Sequence, residues 1–113
     1  MAKFLWLVFT NPTSVEVEDE FNDWYDRQHV PDVLKVPGVK AVQRFRTARP
    51  ADDVPGRYVA TYEIEADDVG EVIARCKARA GTDQMPLSPT LYRQPGRQML
   101  YEAVGERVIA QPA

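Results

Sequence analysis

The stretch FNDWYDRQHVPDVL, residues 21–34, holds the one histidine of this chain, His29. Imidazole is the side chain that changes charge near neutral pH without help, so His29 is the first candidate for proton transfer. On a helix its neighbours three and four residues back are Asp26 and Tyr25. Asp26 is placed to accept a hydrogen bond from one ring nitrogen, fixing the tautomer and leaving the other nitrogen free as a base or acid. A helix end also brings unpaired carbonyls close, which favours the charged imidazole. The plainer reading stays open: a histidine at such a place can simply hydrogen-bond a carbonyl.

Other chemistry finds less support. One histidine and the distant Cys76 make no zinc-ligand spacing, so no metal site is expected. Ser14 or Ser88 formally completes a Ser-His-Asp set, but no nucleophile-elbow motif surrounds either. No glycine-rich phosphate loop and no dinucleotide fingerprint occurs. Asp19, Glu20 and Asp23 read as a solvated helix face. The aromatic set is large, with Trp6, Trp24, Tyr25 and Tyr62 among its members. Most of it must be core, but part can wall an apolar ligand pocket between the first helix and the sheet. A tyrosine there, Tyr62 or Tyr25, can donate to a developing oxyanion. Arg44 shares a strand face with Val42 and Arg46. It is either a solvated edge or a rim group that grips a ligand carboxylate. Cys76 lies in an apolar stripe and reads as inert core.

The elements that must position these groups follow from periodicity. KFLWLVFT, residues 3–10, is a strand apolar on both sides, with Phe4, Trp6 and Val8 on one face and Leu5, Leu7 and Phe9 on the other. Thr13 and Glu16 are spaced as a capping box for a first helix. Val17, Phe21, Trp24, Tyr25 and Gln28 recur along it at helical spacing. Pro31 should end or kink it near His29. Residues 39–47 and 57–65 read as strands. Residues 66–81 contain a second amphipathic helix, with Asp68 and Glu71 at its cap and Gly81 as its stop. A long loop with three prolines follows, then a strand over 97–104 and a tail. The order β-α-β-β-α-β is the ferredoxin-like α+β arrangement, an antiparallel sheet with both helices on one face, as one domain over 1–113. A doubly apolar first strand leaves a bare patch on the open face, and a second copy packed sheet to sheet would cover it.

Composition narrows the partners. The chain is 44% hydrophobic and 27% charged with a net charge of −3, and no block of one sign suggests nucleic acid. The apolar run near the N-terminus is too short for a membrane span and has no cleavage site after it. One cysteine fits a reducing cytoplasm and leaves no internal disulfide.

EDEFNDWYDRQHVPDVLKVPGV, an acidic helix leading through W-Y-D-x-x-H-x-P-D-V-L to V-P-G before a strand, resembles the EthD-like members of the dimeric α/β-barrel superfamily. The resemblance implies a homodimer whose two sheets form a barrel, with an apolar pocket in each subunit between sheet and helices. It implies work on small aromatic, lactone or polyketide-like compounds with no metal or organic cofactor, by isomerisation, cyclisation, lyase chemistry or oxygenation. His29 matches the motif histidine, the acid–base residue, while Trp24, Tyr25, Asp26, Pro31 and Asp32 match positions around it. Three functions stay open: a cofactor-free enzyme using His29, with Asp26 orienting it; a non-catalytic binding module with an aromatic pocket; and a haem-binding monooxygenase with His29 as axial ligand.

Overall fold

The computed structural model describes residues 1–49, 51–93 and 96–112. Four strands, β1 (Ala2–Thr10), β2 (Val39–Arg46), β3 (Tyr58–Ala66) and β4 (Gln98–Glu102), form one antiparallel sheet in the order β2-β3-β1-β4. The long central strands are the ones rich in β-branched and aromatic residues. Their alternation separates the faces. Trp6, Tyr58, Ala60, Tyr62 and Ile64 are buried on one side. On the other, Leu5, Leu7 and Phe9 pair across to Glu63, Thr61 and Val59. The helices cover only the first side, so Leu5, Phe45 and Tyr101 are left 37%, 45% and 56% exposed in the single chain.

The first helical region departs from the sequence expectation. The capping box is not made: Ser14 stands at the N-cap of a single 3-10 turn, Val15–Val17, without a side-chain bond. The Thr13 N–H instead donates to the Thr90 carbonyl at 2.8 Å. Helix α1 (Glu18–Trp24) then runs into a π-helical turn, Tyr25–His29, and on into α2 (Val30–Leu34) without a break. Pro31 therefore does not stop the helix at His29. In an α ladder its ring would crowd the carbonyl four residues back, and it has no N–H to donate. The π turn ahead of it relaxes that geometry: the Val30 N–H reaches five residues back to the Tyr25 carbonyl.

After Leu34 the chain turns through Gly38, whose φ of +101° lies in the region open to glycine. A Cβ there would stand 2.7 Å from Val72 Cγ2, so the turn packs directly on α3 (Val69–Arg79). That helix begins as its sequence suggests, with Asp68 Oδ1 accepting from the Glu71 N–H, and it stops before Gly81 at φ +83°. Val72 and Cys76 form its buried stripe. The proline-containing loop beyond it is tied down at several points. The Gly81 N–H donates to Met85 O at 2.8 Å, and the Tyr92 N–H to Asn11 O at 3.0 Å. Ser88 and Thr90 share a buried hydroxyl pair at 2.7 Å. No helix among the described residues is long and apolar enough to cross a membrane.

Candidate active site

The π turn, β1, β3, α3 and the tied-down loop line an open-mouthed cavity of about 190 Å³. Its walls include Trp6 and Val8 from β1, Tyr62 from β3, Tyr25 and His29 from the π turn, Cys76 and Lys77 from α3, and Met85, Leu87 and Leu91 from the loop. A cavity of about 150 Å³ accepts benzene, so this one takes a single substituted ring.

His29 lies against the inner wall. Its ring meets Tyr25 edge-on at a centroid distance of 4.8 Å and lies tilted against Trp24 at 5.0 Å. Nδ1 is buried and, among the described residues, has no hydrogen-bond partner. Buried polar atoms are rarely left so. Burial pushes the imidazole down to about 4, against the raising pull of Asp32 and together with the repulsion of Arg44. The helix continues past His29, so no terminal carbonyls gather to favour the cation. The ring is neutral at pH 7, the reverse of the charged form expected at a helix end.

In the same wall, the Tyr25 and Tyr62 hydroxyls hydrogen-bond each other at 2.8 Å in the buried core. Burial raises both phenols, Tyr62 well above its ordinary value. Both stay protonated, so the pair works as a donor. One hydroxyl serves the other, and the remaining hydrogen is free for a ligand oxygen, polarised by its neighbour. Burial likewise pushes the Cys76 thiol up, which keeps it neutral. Cys76 thus stands in the cavity wall as an apolar group.

The structure separates the expected site residues into two groups. Trp6, Tyr25, His29 and Tyr62 meet at the cavity. Asp26 does not hold the imidazole. Its Oδ1 accepts from Arg44 Nη1 at 2.9 Å, on the side of the helix turned to β2. Arg44 does not line this cavity either; it lies at a separate depression with Asp26, Val42 and Tyr58. Its guanidinium also donates to Asn22 Oδ1 at 2.9 Å and stacks over the Tyr25 ring at 4.3 Å, so the carboxylate it grips is the protein's own. Trp24 lies behind His29 rather than in the cavity wall, with its indole N–H donating to the Pro86 carbonyl at 3.3 Å. Beside Arg44, Glu18 accepts from Tyr58 and from Arg57, and the Tyr58 bond before the Arg57 one holds its carboxyl below the ordinary range. This network anchors α1 to the sheet. Sequence reasoning missed Met85, Leu87 and Leu91, whose signal was three large apolar residues in a loop otherwise punctuated by prolines. Among the described residues no three His, Cys, Asp or Glu side chains come together as metal ligands do.

No protein-family model matches the chain, and no curated protein matches it in sequence. Solved structures do match in shape. HapK from Hahella chejuensis superposes with a TM-score of 0.61 at 15% identity, over 96% of this chain and 99% of that one. A protein from Shewanella loihica PV-4 gives 0.55 at 14%, over 98% and 99%. An antibiotic biosynthesis monooxygenase gives 0.52 at 22%, over 93% and 100%. At these identities the likeness is one of fold. The chain has the ferredoxin-like α+β fold that these proteins share over nearly their whole length.

Proposed function

We propose that this chain is an enzyme that moves a proton on a small aromatic or cyclic carbonyl compound held in the cavity, with His29 as the base and no metal or organic cofactor. One observation carries the reading: a neutral imidazole and a paired tyrosine donor line the same ring-sized apolar cavity. The ring of the substrate takes the apolar space, and its carbonyl oxygen accepts from the Tyr25–Tyr62 pair. An imidazole nitrogen takes the proton from the carbon beside the carbonyl, and the C–H electron pair moves to the oxygen as an enolate. The tyrosine hydrogen bond stabilises that charge where it develops. Return of the proton to another carbon completes an isomerisation with no co-reactant.

The test uses cyclic 1,3-diketones, lactones and hydroxyaryl ketones in deuterated buffer, with proton exchange followed by NMR. Exchange promoted by the native chain is expected to fall about a hundredfold or more in His29→Gln, the usual contribution of a placed base. Exchange unchanged in that variant overturns the assignment. A second reading, sequestration without turnover, draws on the low basicity of an imidazole near 4. It predicts ring compounds that bind without exchange, and affinity rather than rate that responds to His29→Gln.

The open face of the sheet supports a two-fold dimer through Leu5, Leu7, Phe9 and Phe45. Light scattering on the native chain is expected to give twice the chain mass, and Leu5→Lys with Phe45→Glu to return it to one.

A further inference from the structure

The cavity opens onto a second depression of about 430 Å³, and the two share Val8, Thr10, Leu91 and Gln98 in their walls. The outer depression also carries Asn11, Arg93 and Arg97. Backbone bonds hold both arginines over the end of β1. The Phe9 N–H donates to Arg97 O at 3.1 Å, and the Tyr92 N–H, next to Arg93, donates to Asn11 O at 3.0 Å. Lys77 adds a cation to the inner wall. Among the described residues no Asp or Glu lines either space, although the whole chain carries a net charge of −3. The charged residues among the described ones in these two walls are Lys77, Arg93 and Arg97, all cations.

We infer that the natural ligand is an anionic ring compound, whose ring fills the inner cavity while a carboxylate lies outward against Arg93 and Arg97, with Lys77 adding positive charge from the inner wall. This inference rests on the ring-binding reading of the cavity. The guanidinium fork matches a carboxylate in geometry as well as charge. Concentrating the positive side chains at the entrance of an acidic protein also attracts the anion before it docks. The carboxylate grip that the sequence left open for Arg44 falls to the two arginines of the loop, since Arg44 is already engaged by Asp26 and Asn22.

The experiment compares salicylate with salicylamide, the same ring with and without the charge, by quenching of tryptophan fluorescence. A screened surface charge pair contributes up to about fivefold in affinity, so three cations should favour salicylate about tenfold or more at low salt. Arg93→Gln with Arg97→Gln should remove most of that preference and leave salicylamide unchanged, and about 0.5 M salt should do the same to the native chain. Both positions are exposed, so the double variant keeps the fold. Equal binding of the two rings overturns the anionic class and leaves the ring cavity standing. Binding of neither overturns the cavity reading with it.

Discussion

The depressed basicity of His29 makes the stability of the fold depend on pH in a definite direction. The imidazole titrates near 4 in the folded chain and near 6.5 when unfolded. Between those values the unfolded chain binds a proton that the folded chain refuses. Stability is therefore complete above about 6.5 and is lost as pH falls toward 4. The full shift of about 2.5 units is worth about 3 kcal/mol, and at pH 5 about 2 kcal/mol of it is already gone. The cause is burial, so the sign does not depend on the two charges nearby, Asp32 raising and Arg44 lowering. Glu18, held low by Tyr58 and Arg57, acts in the same direction only below the ordinary carboxylate range. The comparison is urea unfolding of the native chain and of His29→Gln at pH 7 and pH 5. The native chain should lose about 2 kcal/mol more than the variant over that interval. Equal losses, or an imidazole proton resonance that titrates near 6.5 in the folded chain, would refute the burial argument.

Further perturbations follow from the packing. Tyr62→Phe leaves the Tyr25 hydroxyl buried without its partner and should cost about 1–3 kcal/mol. The Tyr25→Phe, Tyr62→Phe double variant should recover much of this, a non-additivity that chemical denaturation will resolve. Arg44→Ala removes two hydrogen bonds and a stacked cation from a site where its side chain is 12% exposed, for an expected loss of about 2–3 kcal/mol. Asp26→Asn should cost about 1 kcal/mol or less, because that carboxylate is 62% exposed. Gly38→Ala meets both a positive φ and Val72, and should lower thermal stability by more than about 1 kcal/mol.

The architecture was legible because its signals are local and repeated. Alternation over residues 3–10 and 57–65 set the two central strands and their faces, and the Asp68 cap and Gly81 stop bounded α3 closely. The cavity was half legible. Trp6, Tyr25, His29 and Tyr62 belong to elements whose faces periodicity can assign, and they do converge. Met85, Leu87, Leu91, Arg93 and Arg97 belong to a loop, where no period says which way a side chain points. Their positions come instead from long-range backbone bonds to β1, such as Tyr92 to Asn11. The capping box failed for a related reason: Thr13 is drawn to Thr90 in that same loop, a competitor that local spacing cannot see.

The Asp26–His29 pairing failed on geometry rather than on chemistry. Helical reckoning makes residues three and four apart neighbours on a surface, which gives His29 the company of Asp26 and Tyr25. A π turn closes its hydrogen bonds over five residues instead, as the Val30 to Tyr25 bond does. Each residue then turns less about the axis, and the neighbours of His29 move back along the chain. The rings that touch it are those of Tyr25, four back, and Trp24, five back. Asp26 is turned toward β2, where Arg44 takes it. The same local widening thus carries Pro31 within the helix, strips His29 of a carboxylate partner and surrounds it with aromatic rings. It is this loss of a polar neighbour, together with burial, that leaves the imidazole neutral and its Nδ1 unpartnered.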